Sequence, residues 1–251
     1  MEKSLNANVL IGHHLKGKRE WLHVVSTSNL TLYQPHTKRG SQAMDDLGIL
    51  SSYNGVVMHD FWRPYGRYGC VHTFCKAHLI RELRGIYENY PNQEWAKDLE
   101  SLFGEMYHSV YGSGEYSPEI VAVYKKRYDE IVDAGLEQNP PGTRIGKRGK
   151  KKNSKAHNLL LRLKKERDGI LIFLDIPSMP YTNNLAERDL RMMKVQQKIS
   201  GSFRTVSGAV SFCRLRGYIS ILRKNGSSVF EALKKLVKGE VIPLHEIIGG
   251  E

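Results

Sequence analysis

Met179-Pro180-Tyr181-Thr182-Asn183-Asn184-Leu185-Ala186-Glu187-Arg188-Asp189-Leu190-Arg191 is the stretch whose reading decides the fold. It follows an apolar run, Gly169 to Leu174, that reads as a buried strand, and it opens a helix with Ala186, Leu190 and Met193 on one face. Glu187 then falls in the first turn of that helix, beside Arg188 and Arg191. Two roles are open to it. With Asn184 as N-cap, Glu187 stands three residues on and completes a capping box, satisfying backbone donors. Alternatively it is half of an acidic pair. Far upstream, Gly55-Val56-Val57-Met58-His59-Asp60 is a short apolar run ending in an acid, the way a buried strand delivers a carboxylate to a sheet edge.

Working outward, Val9-Leu10-Ile11 and Trp21-Leu22-His23-Val24-Val25 predict a hairpin turning at Gly17, and Leu30-Thr31-Leu32-Tyr33 a third strand. Ser41 to Leu50 reads as a short helix before the strand that ends at Asp60. Three strands, a helix and an acid-bearing strand suit an α/β mixed sheet flanked by helices. After Asp60, Phe61 to Tyr68 is aromatic and basic, either a packed loop or a nucleic-acid contact. Cys75 and His78 lie three apart before a helix over Leu79 to Tyr87. With His72 they suggest zinc, but no second cluster completes the four ligands of a structural site.

From about Asn92 to Glu166 the chain reads as helical, with Trp95, Leu99, Leu102, Phe103 and Met106 on one stripe and a second helix near Ile120 to Leu136. Pro140-Pro141-Gly142 marks a loop. Arg144 to Lys155 then holds seven Lys or Arg and no acid. Clustered cations gain most from a polyanion through counterion release, so Arg144, Lys147, Arg148, Lys150, Lys151 and Lys152 are expected to contact phosphate. The chain is basic again after Glu187, through Arg191, Lys194, Lys198, Arg204, Arg214, Arg216, Arg223 and Lys224. These are interleaved with an apolar helix, Ala209 to Leu222. A last helix, Val229 to Val237, has Ser228 and Glu231 placed as a capping box.

Composition sets the limits. At 251 residues, 40% hydrophobic and 25% charged, the chain can bury one substantial core, and wholesale disorder is excluded. A net charge of +12 and a pI near 9.5 put nucleic acid ahead of other partners. The three cysteines are too few for a disulfide framework and no signal peptide is visible, so a reducing cytoplasm is expected. No apolar stretch approaches the ~20 residues that cross a membrane.

Asn183-Asn184-Leu185-Ala186-Glu187-Arg188, Gly201-Ser202-Phe203-Arg204, Gly208-Ala209 and Cys75-Lys76-Ala77-His78 together resemble the transposases of the insertion-sequence-66 family, from about Gly12 to about Gly239. The resemblance implies a ribonuclease-H-like core over 1–90 and 169–251, with a helical insertion carrying the basic loop over 91–168. It implies an Asp, Asp, Glu triad, with Asp60 as its second member and Glu187 as its third. Asn184, Cys75 and His78 are implied as supporting residues. DNA is implied as substrate, bound partly by Arg188, Arg191 and Arg204, with self-association on it.

The implied cofactor is Mg²⁺, or Mn²⁺ in its place. Two such ions about 3.5 to 4 Å apart stabilise the entering and leaving oxygens of a phosphodiester exchange. At the first aspartate the sequence departs from the pattern. Gly12 and Trp21-Leu22-His23 fix a register that puts Val9 at the aspartate's position and Leu10 at the next, and no acid occurs between Glu2 and Glu20. A transposase-type chain with impaired chemistry, truncated at its N-terminus, is therefore expected. The alternative is a non-catalytic DNA-binding or subunit-interaction remnant. A junction nuclease would share the acids but not the Asn-Asn-x-Ala-Glu-Arg stretch.

Overall fold

The computed structural model describes residues 5–10, 14–15, 18–112, 114–142, 152–201 and 203–248. The chain divides into two compact units, 1–72 with 183–251, and 73–182.

The first unit holds the sheet. Strands β1 (Leu5–Leu10), β4 (Trp21–Ser26), β5 (Thr31–His36), β6 (Val56–His59) and β7 (Val71–Phe74, in which the chain passes into the second unit) run in the order β5-β4-β1-β6-β7. β1 is antiparallel to β4, from Asn6 opposite Ser26 to Leu10 opposite Leu22, and β4 is antiparallel to β5. β6 runs parallel to β1, with Leu5 beside Val57 and Asn6 beside Met58. This mixed order is the ribonuclease-H-like arrangement expected. A separate small hairpin, β2 (His14–Leu15) with β3 (Lys18–Arg19), brackets Gly17, which itself lies outside the described residues. β5 occupies the sheet edge, where Pro35 costs least because a proline has no N–H to offer a further strand.

Each face of the sheet has its own core, because side chains alternate along a strand. Leu5, Ala7, Val25 and Val57 pack with Met44 of α1 (Ser41–Leu47), Leu50, Tyr65, Tyr68 and Cys70. Leu22, Val24 and Tyr33 pack with Ala186, Leu190 and Met193 of α7 (Asn184–Ser200) and with Cys213 of α8 (Val206–Lys224). The Leu, Val and Met side chains among these, fully buried, contribute about 1.5–3 kcal/mol each. On α8 the buried residues Ala209, Cys213 and Gly217 are small and four apart, which lets the helix approach β5 closely. A Cβ on Gly217 would stand 3.3 Å from the Thr31 carbonyl oxygen. Thr205 caps α8, its Oγ1 accepting from the Gly208 N–H at 3.0 Å. Ser228 caps α9 (Val229–Val237) through the Glu231 N–H, while the Glu231 carboxylate pairs with Lys234 rather than closing the box.

The second unit is helical beyond β7: α2 (Lys76–Asn89), α3 (Glu94–Tyr111), α4 (Pro118–Gln138), α5 (Lys155–Lys165) and α6 (Arg167–Asp175). The expected stripe of α3, Trp95, Leu99, Leu102, Phe103 and Met106, is buried throughout. Four of its arginines face carboxylates: Arg84 on Glu100, Arg127 on Glu105, Arg162 on Glu82, and Arg167 on Asp129 and Asp168.

Two local expectations are corrected. Gly169 to Leu174 is not a strand but lies inside α6. Ile170, Leu171, Phe173 and Leu174 are buried at helical spacing, whereas a strand would have buried alternate residues or all of them. Asn184 is not the N-cap of α7. Asn183 holds that position and makes no side-chain cap bond, so Glu187, whose N–H donates to the Asn183 carbonyl, is not part of a capping box.

Candidate active site

β6 ends at His59, and Asp60 follows it half-buried, its Oδ1 accepting the Trp62 N–H at 3.1 Å. The strand end before it is held by side chains. Burial pushes the His59 imidazole down to about 4, so it is neutral at neutral pH. Its Nδ1–H donates to the Asp60 carbonyl oxygen, and its Nε2 stands 2.9 Å from Nδ1 of His72, whose Nε2–H donates to the Tyr68 carbonyl at 3.0 Å. The Tyr65 ring stacks on His59 at 4.4 Å, inside the core on that face. The Phe61 to Tyr68 segment thus packs. It includes the 3₁₀ turn Arg63–Arg67, and Arg39 lies over the rings of Trp21 and Trp62 at 5.0 and 4.6 Å.

Glu187 reaches the same sheet from the other direction. Asn183, 1% exposed, donates from Nδ2 to the carbonyl oxygen of Ala7 at 3.0 Å, which fixes the start of α7 against β1. β1 therefore lies between the two acids in connectivity, bound to β6 along one edge and to Asn183 through a carbonyl. On β1, Val9 is opposite His23 of β4. Val9 is the position at which the resemblance expects the first aspartate, and the residue there is apolar.

Mg²⁺ is a hard ion that takes carboxylate oxygens. Asp60 and Glu187 supply two carboxylates and Val9 supplies none. Among the described residues no group of three carboxylates gathers within ligand distance. The two carboxylates are one fewer than the triad the resemblance implies.

The residues just after Glu187 are divided between floor and rim. Asp189 is buried, with its side chain 8% exposed, as is that of Lys224 opposite, 2.8 Å away. Oδ2 of Asp189 also accepts from Ser26 Oγ at 2.6 Å and Thr31 Oγ1 at 3.2 Å. Lys224 spends its other two protons on the Thr27 and Leu30 carbonyls, at 3.0 and 2.9 Å. Burial pushes the Lys224 ammonium pKa down and Asp189 pulls it back. Lys224 is therefore no part of an exposed basic wall, contrary to the sequence reading, and nothing local to α8 signalled its partner.

Glu187 lines an open groove of about 430 Å³ with Asn184, Leu185, Arg188, Arg191 and Lys194. A second groove of about 450 Å³ lies between α7 and α8 and shares Arg188 and Arg191 with the first. Arg204 is exposed and lines neither. In the other unit, Cys75 is buried at the N-cap of α2 and His78 is half-buried one turn on. Lys152 is exposed there, while Arg144, Lys147, Arg148, Lys150 and Lys151 lie outside the described residues. Sequence reading had not singled out Arg216 and Arg223 as a pair, although their spacing of seven, two helical turns, sets them on one face of α8.

A family model described as "Transposase IS66 family" matches residues 6–211. An "Uncharacterized protein y4jO" of Sinorhizobium fredii (strain NBRC 101917 / NGR234) is 27% identical over 168 residues, which is 64% of this chain and 46% of that protein. The chain thus spans less than half of that relative's length. With the match running from β1 into α8, through Asp60, Glu187 and the Asn-Asn-x-Ala-Glu-Arg stretch, the chain belongs to the IS66 transposase family.

Proposed function

We propose that the chain engages DNA as a transposase-family protein in which Mg²⁺-dependent strand cleavage and transfer is impaired. In this reading Asp60 and Glu187 are the second and third acids of the triad, the core comprises 1–90 and 169–251, and 91–168 is an insertion. DNA, and a second copy of the chain on it, are the partners. The single observation behind the impairment is Val9, which stands where a bridging carboxylate is needed. An apolar side chain offers a hard cation nothing. Two-ion catalysis stabilises both oxygens together, so the loss is large rather than partial. No helix of the described residues is long and apolar enough to cross a membrane.

The test is a strand-transfer assay on DNA carrying the ends of the cognate element, with Mg²⁺ and separately with Mn²⁺. No joined product is expected with either ion, while DNA binding persists. Product that forms and then disappears on Asp60→Ala or Glu187→Ala would overturn the impairment and point to another bridging ligand.

A further inference from the structure

A groove lies between α7 and α8. Arg188 and Arg191 from α7 and Arg216 and Arg223 from α8 line it together. Its one carboxylate, Asp189, is already engaged by Lys224, Ser26 and Thr31. Among the described residues none of the four guanidinium groups makes an ion pair, whereas Arg84, Arg127, Arg162 and Arg167 of the other unit each lie on a carboxylate. Nε of Arg216 is buried with no acceptor. A buried N–H donor without a partner is destabilising, and gathered like charges add to that, so an anion entering the groove relieves both. The Asp189–Lys224 pair beneath holds α7, α8 and the β4–β5 turn in one arrangement, which presets the arginines on both helices.

We propose that Arg188, Arg191, Arg216 and Arg223 form a clamp for the sugar-phosphate backbone of a DNA strand. The planar guanidinium fork matches phosphate oxygens two at a time, which suits arginine rather than lysine for this task. Contacts of this kind position a strand without reading its sequence. Arg188 and Arg191 line the Glu187 groove as well, so a strand gripped here runs past Glu187. The clamp rests on the reading that the chain binds DNA. It adds where the backbone sits and assigns Arg216 and Arg223, and it does not depend on whether the acids are active.

The experiment is a fluorescence-anisotropy titration of a short labelled DNA duplex of arbitrary sequence across a range of salt concentrations. Each phosphate contact contributes about 0.9 to the slope of log affinity against log salt, so Arg216→Ala with Arg223→Ala should lower it by about 2. Arg214→Ala, exposed on the same helix but outside the groove, should leave it unchanged. Arg216→Lys with Arg223→Lys should keep most of the slope and lose affinity, and it serves in place of the alanine pair if that variant fails to fold by circular dichroism. An equal fall for Arg214→Ala, or an unchanged slope in the alanine pair, overturns the clamp. So does competition by inorganic phosphate that protects the groove without displacing DNA, which would assign the groove to a free phosphate. A parent chain without salt-dependent DNA affinity would sink the DNA reading itself, whereas binding that ignores Arg216 and Arg223 sinks the clamp alone.

Discussion

Replacing Lys224 by Met should cost unit 1 much more than the loss of an exposed charge. The Nζ group makes three hydrogen bonds, to Asp189, Thr27 and Leu30, all between 2.8 and 3.0 Å, and both members of the ion pair have side chains only 8% exposed. Methionine nearly preserves the volume, so the loss is electrostatic. Asp189 keeps Ser26 and Thr31 as donors but becomes a buried carboxylate without a counter-charge, and two carbonyls lose a donor. Breaking a buried pair from one side costs about 3–5 kcal/mol. At tenfold for every 1.4 kcal/mol, that is roughly a hundred- to several-thousandfold. Hydrogen exchange of the amides of β4 and β5, read by mass spectrometry below global denaturation, should accelerate by that factor. Adding Asp189→Leu should recover much of the loss, because removing both charges leaves no orphan. An acceleration below about tenfold in Lys224→Met, or a double variant worse than the single one, would refute the account of Asp189 and Lys224 as a closed buried pair.

In the other unit, Lys76 is fully buried, donates to the Phe74 carbonyl at 2.8 Å, and is pushed by that burial from its ordinary 10.5 to about 7. The unfolded chain therefore binds a proton that the native one does not. Stability is fully present above about pH 10.5 and is lost as pH falls towards 7, by at most roughly 4–5 kcal/mol. Urea unfolding followed through Trp95, with Trp21 and Trp62 replaced by Phe, should show stability rising from pH 7 to 9.5, and Lys76→Met should flatten the rise. A slope that survives Lys76→Met would assign it to another group. Gly135→Ala would place a Cβ 2.7 Å from Leu160 Cδ2 and 3.1 Å from the Trp95 ring, where α3, α4 and α5 meet. Overpacking of about 1–3 kcal/mol outweighs the helix propensity gained, so the melting temperature should fall, and a rise would show that the site relaxes freely.

What the sequence revealed and what it hid follow from the range of each signal. The strands ending at Asp60 and around Trp21 and Leu30 were legible because alternation and turn residues are local, and the α3 stripe because its period is helical throughout. Gly169 to Leu174 was misread because six consecutive apolar or small residues fit a buried strand or a buried helix equally. Only the neighbours that cover Ile170, Leu171, Phe173 and Leu174 decide between them. Asn183 and Asn184 are chemically alike, and the choice of cap was made by the Ala7 carbonyl, 176 residues away. Lys224 looked like its basic neighbours until Asp189, 35 residues earlier, was found opposite it.

The first unit is interrupted: the chain leaves it within β7 and returns only at Asn183. This governs the order in which the molecule can assemble during synthesis. Ser26 emerges early, but its acceptor Asp189 lies 163 residues later, and the whole of 73–182 is made in between. Contacts so distant in sequence form slowly, whereas consecutive helices of the second unit meet through near neighbours. Until α7 and α8 arrive, Leu22, Val24 and Tyr33 have no cover on their side of the sheet, and Ser26 and Thr31 have no Asp189. The nascent sheet is sticky on that face for most of translation. The helix that carries Glu187 is also the lid that ends this exposure, so a ribosome that stalls before Asn183 releases a five-stranded sheet bare on one face, an aggregation-prone product.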